Sequence, residues 1–198
     1  MRKGIVIIWL GLLFAGIIAF FWYTDLVYRL PTPVPENYKA VIKGSAINLV
    51  SKLDSDNNKP VFLHFFNPGC PCSRFNITHF KSLVKQYNDQ VNFAVVVMSN
   101  KKYTDKEIQT KFDLKLPVLF DTAIASSCGV YSTPQAAIID TDHKLYFRGN
   151  YNISRYCTEK KTEYARIALD SLLHHNPDVV FDQFALKAYG CQIPKCGK

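Results

Sequence analysis

Cysteine supplies the most reactive chemistry in this chain. Its thiolate is a nucleophile, a metal ligand and one half of a disulfide. Six are present: Cys70, Cys72, Cys128, Cys157, Cys191 and Cys196. Two of them stand one residue apart in Asn67-Pro68-Gly69-Cys70-Pro71-Cys72-Ser73. What flanks them matters. The run Pro60 to Phe66 is apolar, rich in aromatic and branched residues, and ends at a turn signal, as a buried strand does. From Ser73 to Tyr87 the apolar residues Phe75, Phe80, Leu83, Val84 and Tyr87 recur at helical spacing. The pair thus falls where a strand hands over to a helix. Helix N-termini favour negative charge, so a thiolate there is stabilised and reacts near neutral pH. Cys70 is the expected nucleophile.

The elements needed to hold that site follow in order. Val91 to Met98 reads as a second strand, buried on both faces. Thr104 caps a short helix carrying Ile108 and Phe112. Leu116 to Phe120 is a short strand, and Asp121 opens a turn or helix ending near Cys128-Gly129. Gln135 to Asp140 and Lys144 to Arg148 form a hairpin around Thr141-Asp142-His143. Glu163 to His175 is helical. This succession predicts an α/β fold with a mixed central sheet flanked by helices. Between Tyr38 and Leu53 the pattern fits an amphipathic helix or a strand and a helix equally well, and Asp54 to Lys59 is a polar turn.

Residues 1–30 are of another kind. Arg2 and Lys3 precede an uncharged run from Gly4 to Tyr23, close to the ~20 residues that span a bilayer as a helix. Trp22 and Tyr23 end it as interfacial aromatics. The sequence Ala19 to Thr24 is a poor cleavage site, so an uncleaved signal anchor is expected. The leading basic residues keep the N-terminus cytoplasmic and place the rest on the periplasmic or extracytoplasmic side of a single-pass membrane protein. Residues 31–37, with prolines at 31, 33 and 35, form a stiff spacer, and residues 38–198 a globular domain. The net charge of +8 is scattered without a dense basic block, which argues against nucleic acid as a partner.

Beyond the cysteine pair, Tyr131-Ser132-Thr133-Pro134-Gln135 through Asp140 and Phe147-Arg148-Gly149 complete a resemblance. Over residues 60–150 the chain resembles the thioredoxin-fold redoxins, membrane-anchored thiol-disulfide proteins and peroxiredoxin relatives. The Gly190-Cys191-Gln192-Ile193 segment is similar to the C-terminus of some redoxins. The resemblance implies a thioredoxin-like fold and a membrane-tethered thiol-disulfide oxidoreductase needing no metal and no organic cofactor. Its partners would be protein thiols or disulfides and a separate redox partner. It implies that Cys70 attacks, that Pro134 follows a cis bond facing the cysteines, and that Thr133 pairs with an extended substrate peptide. His64, six residues before Cys70, stands where thioredoxins carry a buried acid and could shuttle a proton; the plainer alternative is a strand histidine satisfied by a backbone partner.

The pattern also departs from the family. One residue, not two, separates the cysteines; Gly69 precedes Cys70; Ser73 occupies the usual second cysteine position. A direct Cys70–Cys72 bond closes a small, strained ring and is easily reopened. Cys72 is the nearest resolving thiol along the chain, unless another cysteine resolves. Cys157, Cys191 and Cys196 are candidates for structural disulfides tying the terminal segment to the body, and Cys128 reads as a buried structural thiol. Two competing functions remain. Two close thiolates suit Cu(I), although the histidine of copper-delivery relatives is missing before Gln135. A non-catalytic domain would leave Cys70 and Cys72 buried and inert. A peroxidase is disfavoured by Asn67 at the position of the usual threonine.

Overall fold

The computed structural model describes residues 2–49, 53, 58–176 and 179–193. The chain divides into two compact units, Met1–Pro31 and Thr32–Lys198. The first is helix α1, Arg2–Arg29. Its stretch Lys3–Leu26 is long and apolar enough to cross a membrane.

The second unit begins with extended chain. Residues 38–49 form neither the amphipathic helix nor the strand and helix that their pattern allowed. They run irregularly, touching the sheet through one antiparallel bridge, Ala46 to Lys144. Ile47 and Leu49 are buried, so their apolar side chains cover one face of the sheet without regular structure. Most of the turn expected at Asp54 to Lys59 lies outside the described residues.

Then come β1 (Val61–Phe66), α2 (Pro71–Tyr87), β2 (Asn92–Val97), α3 (Asp105–Phe112), β3 (Val118–Leu119), α4 (Ala123–Ser127), β4 (Ser132–Thr133), β5 (Gln135–Ile139), β6 (Leu145–Gly149), α5 (Tyr164–Leu173), α6 (Gln183–Leu186) and β7 (Cys191–Gln192). The main sheet has the order β3-β2-β1-β5-β6. β1 runs parallel to β2 and antiparallel to β5, which makes the sheet mixed, as expected. All six β1 residues are buried because the strand is central and covered on both faces. Alternation then sorts its side chains. Phe62 and Phe66 pack with Phe80 and Leu83 of α2 and Ala165, Ala168 and Leu169 of α5. Leu63 and Phe65 pack with Ile124 and Ala125 of α4 and with Ile47. Thr104 closes α3 with a capping box to Glu107, and Asp113 ends that helix in the left-handed region at φ 50°.

This is a thioredoxin-like fold, with helices on both faces of a mixed sheet. Two features went unread in the sequence. The helix α6 lies against β6, where the Asn150 side chain donates to the Phe184 and Lys187 carbonyls at 2.7 and 2.6 Å. And a second, two-stranded sheet joins β4 to β7.

Candidate active site

Cys70 is the N-cap residue of α2, with extended backbone (φ −95°, ψ 129°) and Pro71 opening the helix. Proline is well placed there, since the first helical N–H has no partner to lose. The loop from β1 is held by its own polar groups. Gly69 N–H donates to the Asn67 side-chain oxygen at 2.9 Å, Cys70 N–H to the Asn67 carbonyl at 3.0 Å, and Asn67 N–H to the Ser73 hydroxyl at 3.0 Å. Ser73 thus has a positioning role at the place where a second cysteine was looked for. Asn67 and Ser73 are both buried.

Thr133-Pro134 is a cis peptide bond, just ahead of β5. Register brings it to the cysteine end of the sheet, because Gln135 pairs with Phe65. The backbone of β4 at this point is occupied by the chain itself. Ser132 pairs with Gln192 and Thr133 with Cys191, antiparallel. Ile193 N–H adds a bond to the Tyr131 carbonyl at 3.4 Å.

That pairing carries Cys191 to the cysteine pair. Its sulfur lies 2.9 Å from that of Cys70 and 3.3 Å from that of Cys72. All three residues are buried, and their sulfurs lie within 4.8 Å of one another. Cys70 is disulfide-bonded in this structure. Such a cluster can pass a disulfide from sulfur to sulfur by thiolate attack, and reduced it could hold a soft metal ion. Cys196 lies outside the described residues.

The other cysteines sit apart from this cluster in character. Cys128, the C-cap residue of α4, is fully buried, and burial pushes its thiol up to about 12. Cys157 accepts a hydrogen bond from the Asn76 side chain at 3.1 Å, and burial pushes it up to about 11. Both are therefore protonated, weak nucleophiles at neutral pH.

His64 is fully buried on β1, stacked on Phe80 (centroids 4.3 Å apart) and on Phe66 (5.2 Å). Its Nδ1 pairs with the Tyr151 hydroxyl at 2.7 Å, while Nε2 has no hydrogen-bond partner among the described residues. The partner is thus a tyrosine side chain, not a backbone group. Burial pushes the imidazole down to about 3, so it is neutral at physiological pH. On α2, Asn76 and His79 are also buried, His79 edge-on to the Tyr151 ring (centroids 5.9 Å apart), and burial lowers His79 too.

Sequence reasoning set Cys191 among the candidate staples and left it at the site only as one alternative to Cys72 for the resolving thiol. The Gly-Cys-x-Ile pattern was the available signal. The element that uses it is a two-residue strand, too short for any periodicity to reveal.

No curated protein matches the sequence. Among solved structures the fold is similar to the hypothetical protein SMc02350 from Sinorhizobium meliloti 1021, at 15% identity and TM-score 0.63, over 79% of this chain and 96% of that one. It is also similar to an uncharacterized conserved protein from Geobacillus kaustophilus, at 20% identity and TM-score 0.58, over 80% and 94%. A more distant likeness, TM-score 0.47 at 19% identity over 58% and 81%, is to MTB dsbF in its mixed oxidized and reduced forms. Residues 39–193, which contain the whole sheet and every cysteine of the cluster, match the domain of unknown function DUF6436, and the chain belongs to that family.

Proposed function

We propose that the protein is a membrane-tethered thiol-disulfide oxidoreductase acting on protein thiols or disulfides. One observation carries the reading: Cys70 caps α2 directly beyond β1, with two more sulfurs within 4.8 Å. Attack needs a thiolate, and the N-terminal dipole and open N–H groups of a 17-residue helix stabilise one. Completion needs a second thiol in reach, and Cys72 and Cys191 both qualify. The neutral His64, bonded to the Tyr151 hydroxyl, sits behind α2 as a fixed hydrogen-bonding group that burial keeps from taking a proton near neutral pH. Lys3–Leu26 supplies the tether, and Arg2 and Lys3 support a cytoplasmic N-terminus with the domain on the other side. The test is dithiol-driven reduction of a protein disulfide by the detergent-solubilised full chain. Turnover is expected to vanish in Cys70→Ser; turnover that survives this change contradicts the reading.

A second reading draws on the same three sulfurs. With Cys70 reduced, three thiolates this close suit Cu(I). Stoichiometric Cu(I) binding by the reduced full chain, lost in Cys191→Ser, would favour it. Reduced protein that leaves Cu(I) with a competing chelator would exclude it.

A further inference from the structure

The strand β7 has an unusual position. It lies on the backbone edge of β4 beside Cys70, where an extended peptide would have to pair to present a sulfur to that residue. Three features make the fit close. Gly190 packs against the Thr133 carbonyl so tightly that any side chain there would collide with it. Thr32 holds the approach, its backbone N–H donating to the Ala188 carbonyl at 2.8 Å and its hydroxyl to the Gly190 carbonyl at 2.6 Å. The register then brings Cys191 alongside Thr133, with its sulfur 2.9 Å from that of Cys70. Cys70, disulfide-bonded here, is 0% exposed in this arrangement. No protein substrate reaches a fully covered sulfur, so part of its cover has to move.

We propose that β7 is the chain's own substrate strand and that Cys191 is the thiol that resolves mixed disulfides on Cys70. The proposal rests on the oxidoreductase reading. A dithiol donor first reduces the protein. β7 lifts, and a substrate segment takes its place on β4. The Cys70 thiolate attacks the substrate disulfide; the Cys70–substrate bond forms, and the second substrate sulfur leaves as a thiolate. β7 then pairs again with β4 and displaces the substrate strand. The Cys191 thiolate attacks the Cys70 sulfur; the Cys70–Cys191 bond forms, and the first substrate sulfur leaves. One substrate disulfide is reduced to two thiols, one protein disulfide is made, and the protons of Cys70 and Cys191 end on the substrate sulfurs. Strand exchange thereby couples release of product to resolution. It also defines the substrate class: an extended segment with a small residue just before its cysteine, as Gly190 precedes Cys191.

The experiment uses the reduced full chain in detergent and a probe peptide Tyr-Gly-Cys-Gln-Ile carrying glutathione in a mixed disulfide. Acid quenching and intact-mass measurement count chains bearing one peptide. The parent is expected to show only a trace. In Cys191→Ser the adduct becomes the major species, while Cys72→Ser stays near the parent. Gly190→Ala keeps Cys191 but prevents β7 from docking, and is expected to accumulate adduct too. Circular dichroism matching the parent establishes that each variant is folded; should Cys191→Ser not fold, Gly190→Ala decides the matter alone. A folded variant with its adduct at the parent's trace level overturns the role of β7. So does accumulation in Cys72→Ser but not in Cys191→Ser. The oxidoreductase reading fails differently, by adduct that persists in Cys70→Ser.

Discussion

At the scale of the residue, burial decides what each titratable group can do. His64 was legible as a functional candidate from its distance to Cys70. Its surroundings were not, because Phe80 and Tyr151 reach it from 16 and 87 positions away in the chain. With burial holding the imidazole down to about 3 from 6.5, the unfolded chain binds a proton that the folded chain refuses. Between those two pH values the unfolded state therefore gains on the folded one as pH falls, by about 1.4 kcal/mol per unit at most. The stabilisation is complete above about 6.5 and is lost downward. His79, lowered by burial too, adds in the same direction. Urea unfolding of the full chain at pH 7 and pH 5 should show the loss, and His64→Gln, which can still bond the Tyr151 hydroxyl, should make it smaller. An unchanged pH dependence in that variant would remove His64 from the account. Cys128 makes the opposite case. It sits in the apolar cluster with Ile124, Ala125 and Val130, and its raised thiol pKa fits the buried structural role read for it.

At the scale of the element, regular structure was legible wherever the period was long enough to count. β1, α2, β2, α3 and the β5–β6 hairpin all stand within a few residues of their sequence-derived bounds. Thr104, read from the sequence as a cap, does cap α3. What stayed hidden were contacts between short segments. α6 has four residues and β7 two, and both are placed by hydrogen bonds to distant elements. Gly149 marks how close that packing is. A side chain there would strike the Ala185 carbonyl of α6 and the ring of Phe147. Gly149→Ala should therefore cost about 1–3 kcal/mol, as overpacking of a filled site does, read as a lowered urea midpoint. A midpoint equal to the parent's would mean that α6 is loosely held. Thr32→Ala is milder, since it removes one bond to the Gly190 carbonyl and spares the backbone bond to Ala188. It should speed reaction of Cys191 with a thiol reagent while leaving the folded spectrum unchanged; an unaltered rate would show that the hydroxyl does not hold β7.

At the scale of the whole molecule, the chain couples a helix able to cross a membrane with a thioredoxin-like domain. Composition was sufficient to read the first, because twenty uncharged residues leave few alternatives. Topology follows from the alternation of strand and helix, since parallel β1 and β2 require a crossover and the later hairpin adds antiparallel strands. The side on which the domain lies is a matter for reporter fusions placed after residue 40. Activity of an extracytoplasmic reporter is the expected result, and a reporter active only in the cytoplasm would reverse the orientation. The central claim is that Cys70 is the attacking thiolate, and competitive alkylation tests it most directly. The reduced full chain, labelled with limiting iodoacetamide at mildly acidic pH and mapped by peptide mass, should carry label first on Cys70, with the Cys70 rate higher in Gly190→Ala, where β7 no longer covers it. First labelling of Cys128, Cys157 or Cys191 in both proteins would contradict the account.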